Sequence, residues 1–443
     1  MLSMPLSEVA LWAHGTLYGR DVPMRGVSTD TRQLAPGMLF VAIRGERVDG
    51  HDFLAQASAA GAAGALVERR VPDAQLPQVQ VADTLAALGD LASAVRARSS
   101  VQVVGITGSS GKTTVKNLCA AILEGVAPTH ATAGNQNNEI GLPLSLLNMR
   151  DDARYAVLEM GAGKPGDIAY LAGIARPYVA LVNNVAPAHL ERLGSIEGVA
   201  ETKGAIYTAL PADGIAVINA EDAFAGYFTA QAGTRNVLRF GLVADADVRA
   251  GDVHSDLAGS RFELITPAGR AAVMLPLPGL HNVRNALAAA ALAHALEVAP
   301  PQIAVGLARA GAVHGRLARR AMPGGWTLID DSYNANPGSV AAAIETLALA
   351  GGETWLVLGD LAELGRKART AGITRLWTVG RLSAEASRAF GHAARHFDDQ
   401  AALAAALRAE LHAGVTCLVK GSRSAAMERV IDQLEQEGRA HAV

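Results

Sequence analysis

The sequence predicts an α/β chain of mostly parallel sheets, built in three parts. Three observations predict it. Short apolar runs alternate with amphipathic stretches along most of the 443 residues, the pattern of repeated strand–helix units. Each run ends in Gly or polar residues, and ligands sit at the carboxyl ends of such strands. One of these ends is a glycine-rich loop, Gly105 to Thr114, that opens directly into a helix.

Half of the residues are hydrophobic and 18% are charged, which excludes a disordered chain. At about 100–200 residues per domain, the length allows two to four domains. Lys plus Arg total 39 and Asp plus Glu total 42, for a net charge of -3. That balance speaks against a nucleic-acid binder or a polybasic membrane binder, either of which clusters positive charge. An anionic substrate held by a few local cations stays open. Aromatics reach only 4% while Gly numbers 46, which suits tight α/β packing and backbone-lined phosphate sites. Cys119 and Cys417 are too far apart in sequence for a disulfide framework or a zinc cage, so a reducing compartment is expected. The N-terminal stretch lacks a basic region and carries Glu8, unlike a secretory signal. The longest apolar stretch, Asn285 to Ala299, includes His294 and Glu297 and is too short to span a bilayer. A soluble cytoplasmic protein is the expectation.

Residues 1–98 hold short strand-like pieces and Gly turns, notably Pro36 to Gly45, and then an Ala-rich helix from about Thr84 to Arg98. Residues 99–312 open with the strand Val101–Ile106 and continue as alternating strand and helix. Residues 313–443 begin near His314-Gly315-Arg316 and show four apolar runs: Trp326–Ile329, Trp355–Leu358, Leu376–Val379 and Val415–Val419. Helical patterns separate them. After Gly338, residues Val340, Ile344 and Leu347 fall at i, i+4 and i+7, on one helix face.

The loop reads Gly105-Ile106-Thr107-Gly108-Ser109-Ser110-Gly111-Lys112-Thr113-Thr114. Val115, Leu118, Cys119, Ile122 and Leu123 follow at helical spacing. A strand before and a helix after mark a phosphate-binding loop. Its glycines let backbone N–H groups converge on phosphates, and the helix N-terminus adds positive potential. Lys112 is placed to reach the β- and γ-phosphates, and the Thr113 hydroxyl to ligate Mg²⁺. The spacing departs from the usual pattern: Ile106 stands where the first Gly belongs, and glycines fall at 105, 108 and 111.

The run Tyr155 to Gly161 is a buried strand ending in Glu159, where a P-loop protein places its Mg²⁺-holding carboxylate, here Glu rather than Asp. A third strand, Tyr178–Val182, delivers Asn183, Asn184 and His189. His189 reads equally well as a ligand or as a structural histidine. Lys203, by charge alone, is an exposed helix residue. Asn282 opens an Ala-rich helix and is either a nucleotide contact or a cap. Asp330, Asp331, Asn334 and Asn336 crowd one strand end before a Pro-Gly helix start. Lys420, Ser422 and Arg423 close the last strand, offering cations to a carboxylate or phosphate, or forming a solvated turn.

In order, GITGSSGKTT, GNQNNEIGLP, VLEMG, NNVAPAHLERLGS, ETKGAI, GLHNVRNALAA, HGRL, DDSYNANPGS, LGDLAELG and LVKGSRS resemble the Mur ligases of peptidoglycan synthesis, over nearly the whole chain. DDSYNANP, LGDLAELG and KGSRS look like the type that joins D-alanyl-D-alanine to UDP-N-acetylmuramoyl-tripeptide, the MurF type. Ser28 to Arg32, Leu39 to Gly45 and Asp49 to Phe53 look like its uridine-nucleotide domain. The DNPR motif of the diaminopimelate-adding type does not occur.

The resemblance implies three domains: a UDP-substrate-binding α/β domain over 1–98, a central P-loop, ATPase-like parallel-sheet domain over 99–312, and a Rossmann-like domain over 313–443. It implies ATP and two Mg²⁺ ions. ATP would phosphorylate the tripeptide carboxylate, and the D-alanyl-D-alanine amine would then displace phosphate. No nucleic-acid partner and a monomeric state are also expected.

Residue by residue, the resemblance puts ATP on Gly108, Ser109, Ser110, Gly111, Lys112, Thr113 and Thr114, with Asn282, Arg316 and Asp331. Thr113 and Glu159 would hold one Mg²⁺ and His189 the second, with Lys203 a further metal ligand. Lys203 matches the family's carbamylated lysine, which reverses the reading from charge alone. Lys112, His189 and Lys203 form the implied catalytic set. Ser28 and Arg32 would bind the uridine nucleotide, and Asn135, Asn137 and Asn138 the muramoyl-peptide side. Asn334, Asn336, Lys420, Ser422 and Arg423 are candidate dipeptide or peptide contacts. Nucleotide contacts from two domains imply closure before chemistry.

One segment departs from the family. A His-containing helix usually follows the Leu361 to Gly365 stretch, but here Arg366 to Thr370 leads almost directly to Gly372. A missing or much shortened helix is expected. Two alternatives remain: another amide ligase of the superfamily, such as the diaminopimelate-adding or folylpolyglutamate type, and a P-loop binding protein without ligation.

Overall fold

The computed structural model describes residues 3–187, 190–311, 315–362 and 364–440, the last five by backbone only. The chain forms two compact units. One comprises Met1–Arg249, Thr266–Ala268 and Ala288–Gly306, and the other Ala250–Ile265, Gly269–Leu287 and Leu307–Val443.

In the first unit, a five-stranded sheet runs in the order Thr16–Tyr18, Gln78–Gln80, Gly64–Val67, Leu39–Val41, Val27–Ser28. Only the Thr16–Tyr18 pairing is antiparallel. The helix Thr84–Arg98 starts where the Asp83 carboxylate accepts from the Leu85 and Ala86 N–H groups. Its apolar face, Leu88, Leu91, Ala92 and Val95, enters the same core as Leu142 and Leu146 of the helix Gly141–Leu147 and Ile168 and Leu171 of the helix Asp167–Ala175. A polar clamp adds to this core. The Asn148 amide accepts from the Val27 N–H at 2.9 Å and donates to the Val27 carbonyl at 2.8 Å.

The second sheet of this unit places parallel strands in the order Thr129–Ala131, Tyr155–Glu159, Gln102–Thr107, Val179–Val182, Ile215–Asn219, Asn236–Gly241. Tyr155–Glu159 and Val179–Val182 are buried throughout, which is why they read as continuous apolar runs. Chain connections leave Gln102–Thr107 and Val179–Val182 in opposite directions, so a crevice opens at their carboxyl ends.

The strands Val248–Asp256, Gly259–Thr266 and Gly269–Leu275 follow one another with no helix between, and lie side by side. This corrects the expected strand–helix alternation. In Gly259–Thr266, the even-numbered Ser260, Phe262, Leu264 and Thr266 are buried, while the residues between them are exposed or partly exposed. That period of two marks a sheet with one wetted face, not a crossover unit.

In the second unit, a six-stranded sheet runs Ala318–Ala321, Thr327–Asp331, Thr416–Gly421, Thr354–Gly359, Arg375–Val379, Ala394–Phe397. All pairings are parallel except that of the first strand. The four apolar runs are its four inner strands. The two edges read Ala-Arg-Arg-Ala and Ala-Arg-His-Phe and carry no such run. Val340, Ile344 and Leu347 are the buried face of the helix Pro337–Ala348. Between Gly359 and Arg375 the helix is present but short, the six residues Gly365–Thr370.

Candidate active site

The glycine-rich loop joins Gln102–Thr107 to the helix Lys112–Glu124. Two of its glycines are structural requirements. Gly108 has φ +147°, and a Cβ there would lie 3.0 Å from the Asn183 Cβ. Gly111 starts the helix at φ 78°, a region that penalises side chains. Lys112 lies at the first helical position, and its Nζ folds back to donate to the Gly108 carbonyl at 2.8 Å.

Two asparagines after the neighbouring strand Val179–Val182 brace the loop. The Ser109 N–H donates to the Asn184 carbonyl at 2.9 Å, and the Ser110 N–H to Asn184 Oδ1 at 2.9 Å. Asn183 and Asn184 both donate to the Ser110 carbonyl, at 2.9 and 3.1 Å. The N–H groups of Ser109 and Ser110 are therefore engaged within the protein. The helix N-terminus behind them adds positive potential of the kind that suits a phosphate.

Glu159 ends its strand buried. Its Oε2 accepts from the Thr113 hydroxyl at 2.8 Å and its Oε1 from Asn137 Nδ2 at 2.8 Å. The Glu159 N–H donates to Thr132 Oγ1 at 3.0 Å. One helical turn after Lys112, the buried Lys116 Nζ donates to the Thr132 carbonyl at 2.6 Å. Lys116 and Thr132 thus fix the strand end that carries the carboxylate.

Lys203 corrects the reading from charge alone. It is buried in the helix Ile196–Thr208, and its Nζ donates to the Gly108 carbonyl at 3.2 Å. Burial, with Lys112 as the smaller cause, lowers its pKa to about 7. Beside these groups lies a cavity of about 400 Å³, lined among others by Gly108, Ser109, Lys112, Asn137, Asn138 and Lys203. Asn135 is exposed in the preceding turn and does not line it. Asn138 Oδ1 accepts from the Gly141 N–H at 2.9 Å, so this residue also starts the next helix. His189 lies outside the described residues. Among the described residues, no group of three or more His, Cys, Asp or Glu gathers as a metal site.

At the end of Val27–Ser28, the buried Ser28 hydroxyl closes a turn on Asp30, donating to its carbonyl at 2.9 Å. Arg32 is exposed and forks onto the Asp30 carboxylate at 2.7 and 2.9 Å. This guanidinium holds Asp30 at about 2.

In the second unit, Asp331 and Lys420 are register partners on adjacent strands. Lys420 Nζ donates to Asp331 Oδ2 at 2.5 Å and to the Asn334 carbonyl at 3.0 Å. Burial raises the Asp331 pKa, and Lys420 opposes the rise. Lys420 is thus a buried, paired cation, not an open one. Arg316 and Arg423 both lie over the Tyr333 ring, at 4.5 and 5.8 Å from its centre. Arg423 also pairs with Glu428 at 3.1 Å. The Ser422 hydroxyl meets that of Ser424 at 3.1 Å. Asn336 is a helix cap: its Oδ1 accepts from the Ser339 N–H at 2.8 Å, and Ser339 Oγ accepts from the Asn336 N–H at 3.0 Å. The buried Asn282 donates to the Pro278 carbonyl at 2.8 Å and accepts from Asn285 at 3.3 Å.

Sequence reasoning assigned no role to Asn183, Asn184, Lys116, Thr132 or Tyr333. An asparagine pair at the end of the strand beside a P-loop, and a lysine four residues after Lys112 on the same helix, were the available signals.

Three family models match in chain order: "Mur ligase family, catalytic domain" over residues 23–96, "Mur ligase middle domain" over 106–293, and "Mur ligase, glutamate ligase domain" over 315–423. The UDP-N-acetylmuramoyl-tripeptide–D-alanyl-D-alanine ligase of Escherichia coli K12 is 46% identical over 453 residues, covering 99% of this chain and 100% of that protein. A structure of the UDP-N-acetylmuramoylalanyl-D-glutamyl-2,6-diaminopimelate–D-alanyl-D-alanyl ligase from Acinetobacter baumannii superposes with TM-score 0.89 at 34% identity, covering 98% and 99% of the two chains. The Thermotoga maritima MurF ligase in complex with ADP superposes with TM-score 0.81 at 30% identity, covering 94% and 99%. With this likeness running the length of both chains, the protein belongs to the Mur ligase family, in its MurF type.

Proposed function

We propose that this chain joins D-alanyl-D-alanine to UDP-N-acetylmuramoyl-tripeptide with ATP, giving the pentapeptide product, ADP and phosphate in peptidoglycan precursor synthesis. The observation that carries this reading is the full-length likeness to UDP-N-acetylmuramoyl-tripeptide–D-alanyl-D-alanine ligases, in a chain whose P-loop lysine borders a cavity.

A carboxylate is a poor electrophile, and phosphorylation gives it a leaving group. The tripeptide carboxylate attacks the γ-phosphorus of ATP, ADP departs, and an acyl phosphate forms. The dipeptide amine adds to the acyl carbon, a tetrahedral intermediate collapses, and phosphate leaves as the amine loses its proton. Two anions must meet in the first step. Lys112 and the helix N-terminus behind it offset their repulsion.

The Thr113 hydroxyl and the Glu159 carboxylate, 2.8 Å apart, are hard oxygen donors that fit Mg²⁺ held partly by nucleotide phosphates. When bound, Mg²⁺ would supply charge neutralisation on those phosphates. His189 and Lys203 are the candidates for a second ion. With a pKa near 7, Lys203 is largely neutral at slightly alkaline pH. Its lone pair can then add to CO₂ and lose a proton, giving a carbamate with the oxygen donors an amine lacks. Asn137 orients Glu159 and lines the same cavity, a place for the peptide end. Ser28 and Arg32 take the uridine end. Asn282, Arg316 and Asp331 are the remaining nucleotide contacts, and Asn334 and Arg423 the dipeptide contacts. The division is three domains, 1–98, 99–312 and 313–443, in a cytoplasmic monomer.

The test is phosphate release with ATP, UDP-muramoyl-tripeptide and D-alanyl-D-alanine. Release should require both peptide substrates. Stimulation by diaminopimelate or glutamate in place of D-alanyl-D-alanine would favour another ligase of the superfamily and sink this reading.

A further inference from the structure

We propose that Lys164 and Arg192 form a subsite for a second carboxylate of the tripeptide, separate from the carboxylate that is phosphorylated. This rests on the ligase reading of the P-loop cavity. Four basic side chains line that cavity, Lys112, Lys164, Lys203 and Arg192, against the carboxylates of Glu139 and Asp167. Lys112 and Lys203 point to the Gly108 carbonyl. Lys164 and Arg192 belong to other elements, the loop after Tyr155–Glu159 and the helix Leu190–Leu193.

Asp167 does not neutralise them by pairing. Its Oδ2 accepts from the Gly163 N–H at 2.8 Å and the Lys164 N–H at 2.9 Å, so it braces the loop that carries Lys164. Arg192 comes down on the same loop. A Cβ on Gly163 would stand 3.8 Å from Arg192 Nη1 and 3.8 Å from Asp167 Oδ2. Both cationic side chains are exposed, and among the described residues neither makes an ion pair or a side-chain hydrogen bond. A guanidinium and an ammonium at one cavity rim form a carboxylate receptor, with a fork of donors beside a point charge.

A single reacting carboxylate, already served by Lys112, does not account for them. The tripeptide carries others. A D-glutamyl residue has two carboxyl groups, and linkage to the third residue consumes one. A third residue of the diaminopimelate kind, which the Acinetobacter baumannii ligase is named for, adds a carboxylate at its side-chain end. Both lie close along the peptide to the reacting carbon, and so at the same cavity.

The test assays full-length Arg192→Ala and Lys164→Ala proteins for ADP release with D-alanyl-D-alanine. Three UDP-muramoyl-tripeptides are compared: one ending in diaminopimelate, one ending in lysine, and the lysine form with its free D-glutamyl carboxylate amidated. KM is read where turnover occurs, and Kd by calorimetry where it does not. On the diaminopimelate substrate, each variant should raise KM about tenfold, the size of one lost charge-assisted hydrogen bond, with kcat within about twofold. Arg192→Lys should recover part of the loss. An effect confined to the diaminopimelate substrate assigns the subsite to the side-chain carboxylate. An effect that persists with lysine and disappears on amidation assigns it to the D-glutamyl carboxylate. An unchanged KM on the diaminopimelate substrate, or an equal rise on the amidated lysine substrate, overturns the proposal. Wild-type protein that releases no ADP with any of the three would overturn the ligase reading instead.

Discussion

Lys112 and Lys203 donate to one acceptor, the Gly108 carbonyl, at 2.8 and 3.2 Å. The two side chains come from different helices, Lys112–Glu124 and Ile196–Thr208, and meet at the loop that precedes the first. Burial, and to a lesser extent the nearby Lys112 charge, lowers the Lys203 pKa from 10.5 to about 7.

Replacing Lys203 by Ala should lower kcat by a factor on the order of a hundred or more, the scale of losing a preorganised charged group. Short-chain carboxylic acids should restore part of the activity by occupying the vacated space. Near-wild-type turnover by the variant would refute the carbamate role.

The same lysine sets a pH trend. Its folded pKa of about 7 lies below its ordinary value of 10.5, so the native state binds fewer protons than the unfolded state between the two. Its burial therefore weighs on stability most below about pH 7, and the penalty lifts as pH rises towards 10.5. Lys203→Met should be the more stable protein at pH 6, and its advantage should shrink by pH 8.5. Calorimetric melting of both proteins across that range checks the sign.

Asn184 should act through the loop it braces. Asn184→Ala leaves the half-buried Ser110 N–H without its side-chain acceptor, a loss of about 1–1.5 kcal/mol, the net worth of one hydrogen bond. KM for ATP should rise roughly tenfold or more, while binding of the UDP-substrate alone, measured by calorimetry, stays near wild type.

Asp331→Asn breaks a buried pair and leaves Lys420 charged without its partner. Such a loss costs about 3–5 kcal/mol, read as a lower Tm and denaturation midpoint. Adding Lys420→Met should return much of the stability but none of the activity. A double variant as unstable as the single one would show that the pair is not the source.

Tyr333 carries Arg316 and Arg423 on its ring. Tyr333→Phe should be nearly silent, since the ring persists. Tyr333→Leu removes two cation–π contacts, each about 0.5–1 kcal/mol. It should raise KM for ATP and for D-alanyl-D-alanine a few-fold, with the melting temperature little changed.

Local patterns made the P-loop legible: the strand, the glycines and the helix face of Val115 to Leu123 all lie within one short stretch. The four inner strands of the last sheet were legible because burial on both faces makes them apolar throughout. Its edges were not, since one side of Ala318–Ala321 and Ala394–Phe397 meets solvent and tolerates arginine. The run of three strands from Val248 to Leu275 was missed because its signal is alternation, not continuous hydrophobicity. Lys203 could not be placed from charge, because tertiary packing alone buries its helix face. The Asn336 cap was readable locally, from a Pro-Gly-Ser sequence directly after it. The Lys420 partnership with Asp331 was not, since it joins strands 89 positions apart in sequence.

The Asn148 clamp on Val27 and the core shared by Leu88, Leu142 and Leu171 make the first two sheets a single solid. With the uridine end held at Ser28, as proposed above, the span to Lys112 has a fixed length and the unit would work as a gauge. On that reading, a UDP-muramoyl-dipeptide would leave its carboxylate short of the P-loop, and a pentapeptide would overshoot it. Such a join would sort substrates by length before any side chain reads the charge of the third residue.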